Sequence, residues 1–348
     1  MNHRTRVLLA VGVTVVLFLG VQFGALALIE PFHESERQAV ENPDDPTNSV
    51  VYFAIILVAT AFMLVTFKYD VEWLIKALII GVSVMLAWFV FAELVPPVAT
   101  VGSVNVIAAL GAIAVGAGLL FYPEWYVIDS TGVIMGAGAA ALFGISFGLL
   151  PAILLLAVLA IYDAISVYRT EHMLDLAEGV MDLKIPVVLV IPTSLSFSYL
   201  ESGSTDDVLD DTTASSDGDE PVPSTDPDSV AADADGSDDS PDESAAEADA
   251  LERDALFIGL GDAVIPTILV ASAAYFLDVG TISVPGIALN LPALGAIIGT
   301  IAGLLVLMHM VLKGKPHAGL PLLNGGAIGG YLLGAIASGL SLATALGF

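Results

Sequence analysis

Apolar runs of about twenty residues recur nine times along the chain, at about 7–29, 49–67, 74–95, 103–122, 131–149, 151–168, 256–277, 287–312 and 320–345. Each is long enough to cross a bilayer as a helix. The pattern predicts an all-α polytopic membrane protein with nine transmembrane helices. The fifth and sixth runs join into one apolar block, with Pro151 as the expected divider, since proline starts a helix well and interrupts one badly. The first run follows Arg4 and Arg6 and ends near Ala25-Leu26-Ala27, as a signal peptide would. Its apolar core exceeds a signal peptide's, so it is read as a retained span.

The polar stretches divide the chain. Residues 1–150 form an N-terminal bundle of five helices, and 151–200 carry the sixth helix with a short extension. Residues 201–255 form a loop, and 256–348 hold helices seven to nine. In the extension, 170–182 predicts a short amphipathic helix with Met173, Leu176, Ala177 and Val180 on one face. The next segment, 185–200, is β-prone and broken by Pro186 and Pro192. It reads either as a strand whose edge can pair with an extended peptide or as a loop on the bundle. The loop 201–255 is rich in Asp, Ser, Ala and Pro, cannot bury a core, and is expected to be disordered.

Composition agrees with this organisation. The chain of 348 residues is 56% hydrophobic and 14% charged, well below the roughly 25% of soluble domains. The net charge of −28 is concentrated in the loop, where 20 of the 38 acidic residues lie beside one basic residue, Arg253. Such acidity also suits a high-salt cytoplasm. Arg4, Arg6, Lys68, Lys76, Arg169, Lys184, Arg253, Lys313 and Lys315 fall on one side of a nine-span topology, and only Arg37 falls on the other. By the positive-inside rule the N-terminus and loop 169–255 are cytoplasmic and the C-terminus is outside, in a multi-pass protein of the cell membrane. The absence of cysteine removes disulfides, thiolate catalysis and thiolate metal sites. There is no phosphate loop or metal-ligand cluster, so no cofactor and no metal are expected. The negative charge argues against nucleic acid.

Two aspartates stand inside apolar runs: Asp163 in LAIYDAISVY and Asp262 in FIGLGDAVIP. Ionisable groups in hydrocarbon are costly and mark function. Asp163 lies about five residues from the end of its helix and Asp262 about six from the start of the next, which places both roughly 8–9 Å deep. Facing carboxylates at one depth cannot both ionise cheaply, so one holds a proton and the other acts as a base. Gly259 and Gly261 before Asp262 permit close backbone approach by a peptide or a facing helix.

Tyr162-Asp163 in the sixth run and Gly259-Leu260-Gly261-Asp262 in the seventh together resemble the presenilin and signal peptide peptidase family, the GxGD intramembrane aspartyl proteases, and most closely its archaeal members. That family carries a Pro-Ala-Leu motif at the start of its ninth helix. The matching residues here are Pro321, Leu322 and Leu323, which depart from alanine at the middle position. A literal Pro292-Ala293-Leu294 begins the eighth run on the wrong side. The resemblance implies a presenilin-like fold and proteolysis of transmembrane helices or signal peptides, with Asp163 and Asp262 catalytic. Tyr162, Gly259, Leu260, Gly261 and Pro321–Leu323 would line the substrate site. Val187, Val188, Leu189 and Val190 are read as a strand holding the unwound substrate. The implied partners are the lipid bilayer and membrane-protein substrates. The alternative is a transporter or ion-leak channel using the same aspartates, which predicts broken helices in two matching repeats.

Overall fold

The computed structural model describes residues 3–69, 71–169, 185–192, 198, 255–312 and 318–348. The expected helix at 170–182 and the acidic loop up to residue 254 lie outside the described residues. Each of the nine apolar runs contains a helix: α1 (His3–Glu34), α2 (Thr47–Lys68), α3 (Glu72–Leu94), α4 (Val106–Phe121), α5 (Trp125–Ser146), α6 (Leu149–Arg169), α7 (Leu260–Phe276), α8 (Leu291–Leu312) and α9 (Gly319–Ala337), with a short α10 (Leu342–Ala345) after them. Seven of these are long and apolar enough to span a bilayer, while α4 and α7 are shorter, at 16 and 17 residues. A small hairpin, β1 (Thr100–Val101) with β2 (Val104–Asn105), precedes α4.

Burial sorts the helices. Two-thirds of the α5 span is buried against 11% of the α2 span, so α5 is central and α2 peripheral. Val50, Val51, Ile55, Val58 and Val65 of α2 are exposed and apolar, a face that only lipid solvates well. Small residues let α5 sit among its neighbours. Gly24 of α1 faces Ala137 and Gly20 faces Val133. On another side, Gly144 abuts Ala271 of α7 and Gly136 lies under Val264 and Leu260. The break before α6 falls at Phe147-Gly148 rather than at Pro151. Gly148 donates to the carbonyl of Pro43 at 2.8 Å, and a side chain there would strike Asp44. Pro151 sits inside the first turn of α6, where helical N–H groups lack partners anyway.

The seventh run does not begin as a helix. Ala255–Gly259 forms β4, antiparallel to β3 (Val188–Pro192), with Val188 opposite Gly259 and Pro192 opposite Ala255. The strand reading of 185–200 therefore holds for 188–192. Leu260 N–H donates to the Val187 carbonyl at 2.8 Å, which fixes the alternation. Leu189 and Ile191 turn their backbone groups toward β4, while Val188 and Val190 turn theirs away. The eighth helix also starts later than predicted, because 281–290 is held by isolated bridges, Thr281 to Asn290 and Val284 to Ile287.

Helices α8 and α9 meet along a glycine seam. Gly295 contacts Gly330, Gly299 contacts Gly326, and Gly303 contacts the Leu322 carbonyl. Close approach through small residues is the common membrane solution where packing drives association. A Cβ on Gly299 would overlap the Gly326 carbonyl. Gly299→Leu is therefore expected to cost about 1–3 kcal/mol by overpacking, seen as a lowered thermal midpoint in detergent. An unchanged midpoint would contradict this packing. One side of the seam opens into a cleft of about 630 Å³ lined by Gly, Ala, Leu, Ile and Val. No titratable group lines it.

Candidate functional site

Asp163 stands six residues before the end of α6, and Asp262 lies in the first turn of α7. The equal depths expected by counting helical rise on both sides are not the reason they meet, since the chain enters Asp262 from a strand. Both carboxyls converge instead on the start of α9. The Leu320 N–H donates to Asp163 Oδ2 at 3.1 Å. A methyl built on Gly319 would stand 3.3 Å from Asp262 Oδ2 and 3.3 Å from Leu307. The two carboxyls therefore border adjacent residues, Leu320 and Gly319, of one helix start. Asp163 is 8% exposed and Asp262 is half-buried, so Asp262 is the more accessible of the two.

Local sequence explains the convergence. Pro321 occupies the first turn of α9 and contributes no N–H. Unpaired N–H groups at that helix start favour nearby negative charge, and Leu320 supplies one of them. One turn further on, Asn324 Nδ2 donates to the Leu156 carbonyl at 2.9 Å. Leu156 lies two turns before Asp163, so Asn324 and Leu320 tie α9 to α6 in antiparallel alignment. Asn324 Oδ1 is buried without a partner among the described residues.

Gly259 ends β4 and caps α7, with Asp262 Oδ2 3.6 Å from where its Cβ would be. Gly261 is exposed, and Leu260 is buried under α5 at Gly132 and Gly136. Tyr162 is half-buried and packs edge-on against Phe53 of α2, with centroids 5.9 Å apart. Pro321 and Leu322 are half-buried, and Leu323 is fully buried in a core group with Leu304, Leu307 and Met308. Val188–Val190 lie in β3, and Val187 joins it to Leu260.

Three contributors escaped the sequence reading. Gly319 precedes the Pro-Leu-Leu motif and borders Asp262. Asn324 follows that motif, and a lone amide in an apolar helix was the available signal. The third is Asp129 of α5, 4% exposed, whose Oδ1 accepts from Val190 N–H at 2.8 Å. It lies just ahead of residue 131, where the fifth run was read to begin, although α5 already starts at Trp125.

Fold and site together describe a polytopic helical membrane protein in which two acidic side chains converge on one helix start. The signal-peptide peptidase and presenilin aspartyl protease family matches residues 15–340. One crystal form of a presenilin-family intramembrane aspartate protease superposes with a TM-score of 0.59 at 30% identity, covering 94% of this chain and 99% of that one. A second crystal form gives 0.56 at 29% identity, covering 93% and 96%. No curated protein matches the chain. The chain belongs to the signal-peptide peptidase/presenilin family of aspartyl proteases. It is an intramembrane hydrolase of the aspartic type, with membrane proteins in the bilayer as its substrates.

Proposed function

We propose that Asp163 and Asp262 are the catalytic pair and that they hydrolyse peptide bonds within transmembrane helices, signal peptides among them. The observation that carries this reading is the convergence of both carboxyls on Gly319 and Leu320. Like charges so close disfavour double ionisation, so the pair shares one proton. The ionised carboxyl takes a proton from water as its oxygen adds to the scissile carbonyl carbon. The protonated carboxyl donates to the carbonyl oxygen, giving a neutral tetrahedral diol. Proton transfer to nitrogen then breaks the C–N bond and leaves a carboxylic acid and an amine. No metal enters these steps.

A helical peptide bond is shielded by its own hydrogen bonds, so cleavage requires local unwinding, and the freed groups need partners where lipid surrounds them. The β3–β4 sheet stands next to Asp262 and can receive an extended segment. Val187–Val190 serve as its inner strand, with Val190 N–H already engaged by Asp129. The substrate strand therefore adds on the β4 side and runs toward Gly259 and Asp262. A Cβ on Gly259 or Gly261 would make only ordinary contacts, so the fold itself does not demand glycine there. Room for a substrate backbone accounts for both. Pro321 and Leu322 form the opposite wall, and Tyr162 flanks Asp163. The protein sits in the cell membrane with its N-terminus and the 169–255 loop in the cytoplasm, so the cut falls toward the cytoplasmic face.

The test is the pH dependence of cleavage in detergent, with the fold followed in parallel. A pair that works with one proton gives a bell-shaped rate whose two limbs belong to the pair jointly. A rate that stays flat from acid to alkaline pH would contradict it.

A further inference from the structure

Asp129 has no part in the chemistry above, yet it is an acid buried in the most enclosed helix. Its Oδ1 accepts from Val190 N–H at 2.8 Å. Its Oδ2 is buried without a hydrogen-bond partner among the described residues. A buried carboxyl oxygen left unpaired lowers stability, so fold stability alone does not account for an aspartate here. Placement suggests another role. Val190 turns its N–H away from β4, and the next outward position on that edge is Pro192, which has no N–H. Asp129 thus occupies the last donor on the outer edge of β3.

The same helix supports both the sheet and the helix that carries Asp262. Gly132, three residues after Asp129, packs under Leu189 of β3 and Leu260 of α7. Gly136 packs under Leu260 and Val264. A fixed bond from α5 to β3 therefore sets the height of the sheet relative to α7, which carries Asp262. A strand advances about 3.3 Å per residue, and a slip of one residue reverses every side chain. Without the tie, the sheet loses its reference to the acid.

We propose that Asp129 is a positioning residue: by holding Val190 N–H, one of the two outward donors of β3, it sets the register in which the substrate strand meets Asp163 and Asp262, and so selects the bond that is cut. This rests on the strand-addition reading of the preceding subsection. The test uses the full chain in bilayer vesicles with a single-span substrate, and mass spectrometry of both product ends. Asp129→Ala removes the acceptor. Val190→Pro removes the outward donor, together with a buried valine side chain, and spares the ladder carried by Leu189 and Ile191. Each is expected to lower the share of the main cut at least threefold, with neighbouring bonds cut instead. The double variant should match either single one. Asp129→Asn keeps an acceptor oxygen and is expected to restore the wild-type positions. A merely structural role would lower the yield without moving the cuts. Wild-type positions in both Asp129→Ala and Val190→Pro, or displaced cuts in Asp129→Asn, would overturn the proposal. Absence of cleavage by the wild-type chain would instead overturn the reading beneath it.

Discussion

Asp163→Asn and Asp262→Asn are each expected to abolish cleavage while the protein remains folded and inserted. Asparagine keeps the size and one acceptor oxygen but can neither take a proton from water nor share one with its neighbour. Loss of a positioned acid or base costs about 10²–10⁴-fold, and members of a unit that acts together do not compensate for one another. The amide should be tolerated structurally. At Asp163 it can still accept from Leu320 N–H, and Asp262 is half-buried with room beside Gly319. Product formation by mass spectrometry, with thermal midpoints as the control, checks this. Clear residual turnover in either variant would remove that residue from the chemistry.

Leu320→Pro is expected to lower cleavage roughly 10- to 100-fold, since a hydrogen bond to a charged group is worth about 1.5–3 kcal/mol. Proline deletes the N–H that Asp163 receives, at a first-turn position where the helix tolerates it. Leu320→Ala keeps the donor and should lose less than threefold, which separates the backbone bond from the side chain. Equal rates for the two variants would show that Asp163 does not depend on α9. The same comparison bears on the Pro-Leu-Leu motif, whose contribution here is the way it starts a helix beside two acids.

The helices were legible because hydropathy over twenty residues is a strong signal, and both central aspartates stood out because little else in those runs ionises. What sequence could not supply was the element before Asp262. Ala255–Gly259 is a short apolar run that suits a strand or the first turn of a helix equally well, and its strand state depends on a partner more than sixty residues away. Asp129 was overlooked for a related reason. With Glu124 and Ser130 nearby it resembles the polar flank of a span, and only the position of β3 makes it an interior residue. The glycine seam was visible as four-residue spacing in Gly295, Gly299 and Gly303 and in Gly326, Gly330 and Gly334. Which helix each set would meet was not, because spacing names a face and not its partner. Gly319 carries no signal of its own, and its meaning comes from the carboxyl beside it.

The most direct measurement incubates the purified full chain in vesicles with one single-span substrate and compares wild type with Asp262→Ala by mass spectrometry of the products. The wild type should yield two fragments with a new carboxylate and a new amine inside the transmembrane segment, toward its cytoplasmic end, and Asp262→Ala should leave the substrate intact. The same two fragments from both proteins, or an intact substrate with both, would contradict the assignment of hydrolysis to the Asp163–Asp262 pair.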